Sequence, residues 1–229
     1  MRQFKGKITL HVLQLHRWDV SPSEAVQIQQ VIRSRISGTS ELGLVRRVAG
    51  VDVGFQSGAA VAAVVVLSYP DLVQIETRLA RRPVEFPYVP GLLSFREAPA
   101  VLDAIQGIEN DPDLIFVDGQ GIAHPRRVGI ASHVGVLVDR ATIGCAKSLL
   151  CGKHGVVGDA VGAYAYIVDR GEIIGAALRT KEGVKPVYVS IGHKIDLETA
   201  IQFVLSCCRG YRLPEPTRLA HLAAARSPK

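Results

Sequence analysis

The sequence offers little cysteine chemistry and no long apolar segment. Its four cysteines, Cys145, Cys151, Cys207 and Cys208, form no C-x-x-C pair, which argues against a structural zinc site and indicates a reduced setting. The longest apolar run, residues 59–67, is too short to span a bilayer and is typical of a buried strand. We therefore expect a cytoplasmic protein with no export signal and no membrane partner.

Neither sign of charge dominates the sequence. Lysine and arginine total 27 against 21 aspartates and glutamates, a net charge of +6. This mild excess is compatible with a polyanionic partner but does not require one. A chain of 229 residues with 48% hydrophobic residues can build a substantial α/β core. Because no linker or internal repeat is visible, we expect a single domain, 1–229. We also expect a monomer, although the sequence does not settle the oligomeric state.

The order of the predicted elements indicates a mixed sheet. Ser21, Pro22 and Glu24 have the pattern of a helix start, and short turns join the first three strands as antiparallel hairpins. Helices are predicted at 21–36, 96–108, 132–140, 196–208 and 218–225, and strands at 48–55, 59–67, 73–78, 114–118, 142–147, 164–168, 173–178 and 187–191. This order predicts an α/β fold with a mixed central β-sheet flanked by helices.

Two carboxylates occur within or directly after apolar strands. Asp118 follows the run LIFV (114–117), and Asp52 lies inside the strand 48–55. A carboxylate in such a place is costly to desolvate unless a cation meets it. The two acids therefore indicate a divalent metal and a phosphate.

The segment after Asp118 is rich in glycine and in hydrogen-bond donors. Gly119 and Gly121 would let the backbone approach a ligand closely. His124, Arg126 and Arg127 would supply donors for an anion. Taken alone, however, an Asp-Gly pair would indicate no more than a turn.

Motifs along nearly the whole chain resemble those of the endonuclease V family. They are VDV (51–53), PYVPGLLSFRE (87–97), DGQGIAHPR (118–126), GIASHVGV (129–136), AKS (146–148), SIGH (190–193) and CCRGYRLPEPTR (207–218). Any one could arise by chance, but the ordered set is specific. The element order is also similar to that of the ribonuclease H-like fold, in which the first and fourth strands are neighbours. That adjacency would bring Asp52 and Asp118 together.

The resemblance implies a metal-dependent DNA-repair endonuclease that recognises deaminated bases, above all hypoxanthine (inosine). Such an enzyme hydrolyses the second phosphodiester bond on the 3′ side of the lesion and leaves a 3′-hydroxyl and a 5′-phosphate. The implied partner is DNA containing deaminated bases. Activity on inosine-containing RNA stays open, because contacts to a 2′-hydroxyl have no readable signature in the sequence.

The resemblance also assigns a metal site and a phosphate contact. Asp52, Glu97 and Asp118 match the family's acidic metal-binding positions, and His221 stands where a fourth group contributes, often an aspartate in relatives. Mg²⁺ is the expected ion, with Mn²⁺ as a substitute, because hard cations prefer oxygen ligands. The number of ions stays open. Lys147 matches a phosphate-binding lysine, which would neutralise charge in the transition state.

A second group of residues is expected to handle the lesion. Tyr88 matches a wedge residue that fills the gap left by a displaced base, and stacking on bases is worth roughly 1–3 kcal/mol. The residues expected to contact nucleic acid or the lesion are Tyr88, Pro90, Gly91, Leu93, Gly119, Gly121 and His124. For His124, and equally for His133, a phosphate contact and a structural role both remain open.

Two other classes of protein fit parts of the sequence. VDVG (51–54) is similar to the phosphate-binding start of actin-like kinases and ATPases, but that fold needs two such domains, which 229 residues barely accommodate. A module that binds inosine without cutting would not need the acids Asp52, Glu97 and Asp118. An assay of ATP hydrolysis tests the first alternative, and a nicking assay with and without Mg²⁺ tests the second.

Overall fold

Apolar runs of the sequence form the centre of a β-sheet in this computed structural model, which describes residues 10–226. The strands are β1 (Arg47–Gln56), β2 (Ala59–Ser68), β3 (Gln74–Pro83), β4 (Leu114–Val117), β5 (Ala141–Ala146), β6 (Lys153–His154), β7 (Tyr164–Asp169), β8 (Glu172–Leu178) and β9 (Val187–His193). They form one sheet in the order β3-β2-β1-β4-β5-β9-β8-β7-β6. The expected mixed sheet is confirmed, since β4 pairs in parallel with β1 and β5 while the other pairs are antiparallel.

Helices cover both faces of this sheet. They are α1 (Pro22–Arg33), α2 (Leu93–Gln106), α3 (Ile130–Val138), α4 (Leu197–Ser206) and α5 (Glu215–Ala225). Residues of α2 and α3 share one buried cluster with β1 and β2, and residues of α4 and α5 share another with β5 and β9. Among residues 10–226, no helix combines the length and apolar character needed to cross a bilayer.

The positions of most elements agree with the sequence prediction. Ser21 caps α1 through a capping box with Glu24, as expected. The hairpins of the first three strands are present, and the first and fourth strands are neighbours.

Three helices begin two or three residues earlier than the sequence patterns suggested, and α3 is one of them, since it starts at Ile130 where residue 132 was predicted. The structure starts α2 at Leu93 and α5 at Glu215, where the predictions were residues 96 and 218. Neither Leu92 nor Pro214, the capping residues, makes a side-chain capping hydrogen bond, so the usual start signal is absent. In α5, Pro216 lies inside the first turn, where proline is tolerated because that N–H has no helical partner. The short strand β6 was not predicted.

Candidate metal and nucleic-acid site

The pairing of β1 with β4 brings two acids together. Val51 is aligned with Val117, and the amide of Asp118 donates to the carbonyl of Val51 at 2.9 Å. Asp118 is therefore the first residue beyond β4, beside Asp52 on the neighbouring strand. This confirms the expected adjacency of the two acids.

Helix α5 brings a third group to the same place. The Nδ1 atom of His221 lies 2.7 Å from Oδ2 of Asp52. The helix can lie this close to β1 because Gly50 has no side chain, and a Cβ there would collide with the carbonyl of Pro216. Gly50 precedes Asp52 by two residues and so shares its face of the strand. A small residue on β1 thus sets the position of His221.

The three groups have the geometry of a metal site. One ligand atom from each of Asp52, Asp118 and His221 lies within 4.8 Å of the others. Around an octahedral ion with bonds of about 2.1 Å, ligand atoms are separated by ~2.9 Å when adjacent and ~4.2 Å when opposite. Two carboxylates and one imidazole therefore fit a divalent cation. Lys147 completes the centre, with Nζ 2.5 Å from Oδ2 of Asp118.

Glu97 lies close to the acids but is not a member of that group of three. It is buried in α2. Burial, together with the charges of Asp52 and Asp118, raises the pKa of Glu97 to about 8. Burial and Asp52 also raise the pKa of Asp118, against the opposing effects of Lys147 and His221. The centre therefore resists carrying its full negative charge unless a cation is present.

A cavity of ≈ 190 Å³ is lined by segments that also carry two of the acids. It is lined by residues of the loop before α2, by the first turn of α2 and by the loop after β4. Of the residues expected to handle a base, four line it together with His124: Tyr88, Pro90, Gly91 and Leu93. Glu97 lies one turn further along α2, and Asp118 is two residues before Gln120, another lining residue. These two segments therefore carry most of the cavity lining and two of the acids, Glu97 and Asp118.

Tyr88 is available to an incoming ligand. Its side chain is 72% exposed, so it is not packed under its own loop. The Arg96 guanidinium lies 5.9 Å from the centre of the Tyr88 ring and 5.3 Å from that of Phe55. A cation over aromatic faces holds them by about 0.5–1 kcal/mol at an exposed site. The ring thus stands at the mouth of the cavity with one neighbour that orients it.

The wall of the cavity is held by hydrogen bonds to Gly91. Its carbonyl accepts from Nε2 of His124 at 3.0 Å, from Nη2 of Arg126 at 2.6 Å and from Nε2 of Gln29 at 3.0 Å. The backbone of Gly91 has φ +78°, and a Cβ would meet the Arg126 guanidinium, so glycine is required here. This carbonyl has no capacity left to read a base edge.

His124 has a structural role in this arrangement. Nε2 contacts Gly91, and Nδ1 accepts from the amide of Arg126 at 3.2 Å. Burial lowers the pKa of His124 to about 4, so the ring is neutral near pH 7. With both ring nitrogens engaged, the structure favours the structural role over the phosphate contact.

The two arginines expected to supply donors for an anion already have partners within the protein. Arg126 and Arg127 bind protein atoms: Arg126 contacts Gly91 and Gln29, and Arg127 pairs with Asp169 and Glu172, each at 2.9 Å. Both cations are therefore used within the fold.

The two glycines after Asp118 serve packing. A Cβ on Gly119 would collide with the side chain of Ile130, and one on Gly121 would collide with the carbonyl of Ile191. Neither glycine lines the cavity, whereas Gln120 between them does. Both glycines thus pack closely against α3 and β9, and their expected contact with a base stays a prediction.

His133 is completely buried and also structural. Its Nε2 lies 2.8 Å from Nε2 of His16, and its Nδ1 lies 2.9 Å from Oγ of Ser94. Burial lowers the pKa of His133 to about 3. A neutral pair of imidazoles, one donating and one accepting, therefore lies behind the first turn of α2.

Sequence reasoning missed three polar residues of this region. Gln29, Ser94 and Gln120 contact the wall or line the cavity. The polar residue Gln29 is 1% exposed within α1, and a glutamine among the apolar positions of a helix is the one signal that could have drawn attention to it.

Comparison with known proteins agrees with this geometry. The family model for endonuclease V matches residues 27–222. An endonuclease V of Roseiflexus sp. (strain RS-1) is 57% identical over 208 residues, which cover 91% of this chain and 94% of that protein.

Solved structures of similar proteins give the same result. The endonuclease V of Streptomyces avermitilis is 40% identical with a TM-score of 0.87, covering 95% of this chain and 96% of its own. That of Ciona intestinalis, in complex with DNA containing an inosine followed by a ribo-adenosine, is 31% identical with a TM-score of 0.79, covering 89% and 95%.

The fold, the acidic centre and these similarities define a nuclease. The chain belongs to the endonuclease V family.

Proposed function

We propose that this protein is a metal-dependent endonuclease of DNA repair that recognises hypoxanthine (inosine) in DNA. It hydrolyses the second phosphodiester bond 3′ to the lesion, leaving a 3′-hydroxyl and a 5′-phosphate. The observation that carries the proposal is the shared origin of cavity and acids: α2 supplies Leu93 and Glu97, and the loop after β4 supplies Asp118 and Gln120. The Ciona relative bound to inosine-containing DNA supports the choice of base.

The residues have distinct proposed roles. Asp52, Asp118 and His221 would hold Mg²⁺, or Mn²⁺ in its place, and Glu97 would add negative charge to the same centre. The ion would activate water and stabilise charge growing on the scissile phosphate. Lys147, next to Asp118, would neutralise charge on the phosphate. Tyr88, with Pro90, Gly91 and Leu93, receives and covers the displaced base.

The test is cleavage of matched strands. One duplex carries a single inosine, and its control carries adenine at the same position. We expect the inosine strand alone to be cut, and only when Mg²⁺ is present. The break should map to the second phosphodiester bond on the 3′ side of the inosine. Equal cutting of both strands would contradict recognition of the base, and cutting in a chelator would contradict the role of the ion.

Two further measurements, strand retention and ATP hydrolysis, address the alternatives. An inosine-binding module would retain the labelled strand without cutting it, and an actin-like ATPase would hydrolyse ATP. A matched RNA strand with one inosine measures the preference between the two nucleic acids. The single domain, the monomeric state and the cytoplasmic location stay predictions.

A further inference from the structure

Lys147 lies on a segment that the β-sheet does not hold by itself. The pairing of β5 with β9 ends at Ala146 and Tyr188, one residue before Lys147. Two residues before Tyr188 stands Pro186, which has no N–H and cannot extend the ladder. The side chain of Lys147 is 40% exposed, and its four-carbon stem has many rotamers. Something else must fix the backbone from which Nζ reaches Asp118.

The guanidinium of Arg212 holds this backbone from the loop between α4 and α5. Its Nη2 atom donates to the carbonyl of Lys147 at 2.6 Å and to the carbonyl of Pro186 at 2.8 Å. One side chain thus joins the ends of two neighbouring strands where their backbone pairing has stopped. The hydroxyl of Thr180 donates to the carbonyl of Arg212 at 2.6 Å, which fixes the clamp itself.

The next carbonyl along the chain is held from the opposite segment. Nε2 of Gln120 donates to the carbonyl of Ser148 at 2.8 Å. Gln120 also lines the cavity and lies two residues after Asp118. The peptide that carries Lys147 is therefore fixed on both sides, by Arg212 and by the loop of its own partner Asp118.

We infer that Arg212 is a positioning residue for strand cleavage, acting through Lys147, with Gln120 holding the adjacent carbonyl. This inference rests on the proposed nuclease function. Groups that act on a reacting phosphate must be held within about 0.5 Å of their productive position, and a misplacement of about 1 Å can cost ~100-fold in rate. The side-chain hydrogen bonds of Arg212 are made to backbone carbonyls, not to the acids or to the cavity lining.

The test replaces Arg212 by methionine, which keeps the length of the stem and removes the donors. Arg209 offers a matched control in the same loop, since its guanidinium also binds backbone carbonyls, those of Ser206, Cys208 and Pro70. Cleavage of the inosine strand is followed in single-turnover experiments at increasing protein concentration. We expect Arg212→Met to lower the maximal rate by roughly 10- to 100-fold, with less than a twofold change in the half-saturating concentration. Arg209→Met should keep the wild-type rate.

A double-mutant cycle separates positioning from general damage. In a Lys147→Ala background, Arg212→Met should lower the rate by less than about twofold, because the group it positions is gone. Equal losses with and without Lys147, or no loss in either, would overturn the inference. If Arg212→Met fails to fold by thermal melting, Arg212→Lys, which cannot bridge two carbonyls in the same fork geometry, replaces it in the same cycle. If the wild-type protein left inosine strands intact, the proposed function itself would be wrong. If the wild-type protein cut them but the effects of Arg212→Met and Lys147→Ala on the rate were additive, only the role of Arg212 would be wrong.

Discussion

The acidic centre and the wall of the neighbouring cavity differ in how their polar groups are satisfied. At the wall, His124, Arg126 and Gln29 all converge on the carbonyl of Gly91, and each has a protein partner. At the centre, Asp52, Glu97 and Asp118 face one another, and Lys147 and His221 compensate only part of their charge.

This difference separates scaffold from reaction site. A network satisfied by the protein alone is rigid and gains nothing from an ion. Glu97 and Asp118 have raised pKa values, so the acidic centre is destabilised until a cation binds, and such perturbed groups concentrate where chemistry occurs. Substitutions at the two regions should therefore affect different measurements: rate and metal binding at the centre, and recognition or stability at the wall.

The largest effect is expected from removal of Asp118. Asp118→Ala removes a ligand and the partner of Lys147, so nicking of the inosine strand should fall by at least about 1,000-fold, while binding of the strand largely persists. Asp52→Ala should behave in the same way. The exposed Asp103 on α2 is the control, and Asp103→Ala should cut normally. Normal cutting by Asp118→Ala would show that the chemistry has been assigned to the wrong residues.

Adding one methyl group behind the centre should be the next most damaging change. In Gly50→Ala the new Cβ meets the backbone of Pro216 and pushes α5, with His221, away from Asp52. Overpacking of this kind costs typically 1–3 kcal/mol, so urea unfolding should shift by that amount and Mn²⁺ affinity should fall. Gly43→Ala, which meets nothing within 4 Å, is the control. An unchanged Mn²⁺ affinity in Gly50→Ala would mean that His221 is not held by this contact.

Glu97 should make the stability of the metal-free protein depend on pH. Its pKa in the folded protein is about 8 against 4.5 for the free group. Between these values the folded state keeps a proton that the unfolded state releases, so the stability of the metal-free protein should fall as pH rises through this window. Between pH 5 and pH 9, Glu97→Gln should flatten that fall by on the order of 4 kcal/mol.

Urea unfolding in a chelator between pH 5 and pH 9 measures this effect. Glu85, which is exposed, supplies the control Glu85→Gln, expected to keep the wild-type slope. If the stability of Glu97→Gln and of the wild type depended on pH in the same way, the conclusion that Glu97 is a buried carboxyl with a raised pKa would be wrong.

Tyr88 should give the smallest effect, and one limited to recognition. Tyr88→Ala removes an exposed ring whose stacking on a base is worth roughly 1–3 kcal/mol, so affinity for the inosine strand should fall about tenfold or more. Mn²⁺ binding should be unchanged, and Tyr88→Phe should restore affinity because the ring is retained. Loss of affinity in both variants would assign the effect to the hydroxyl instead of the ring.

The sequence predicted the acidic centre better than the wall. Asp52 and Asp118 follow from two apolar strands and an element order that makes those strands neighbours. The contacts of Gly91 join Gln29, Gly91 and Arg126 across loops and helices 35 to 97 residues apart, and no local pattern encodes such pairs. The early starts of α2 and α5 were missed because neither has a side-chain cap. From the sequence alone, Arg127 is a candidate anion-binding group, because its partners Asp169 and Glu172 are identified only by the fold.

The central claim is that Asp52 and Asp118, with His221 and beside Glu97, gather around a divalent cation. Calorimetric titration with Mn²⁺, repeated in buffers of different ionisation enthalpy, tests it most directly. The account predicts one saturable site or a pair of sites, lost in Asp52→Asn and Asp118→Asn, with protons released on binding at pH 7 and release declining as pH rises past about 8, the pKa of Glu97. Mn²⁺ binding that is equally tight in those two variants, or that releases no protons at pH 7, would contradict it.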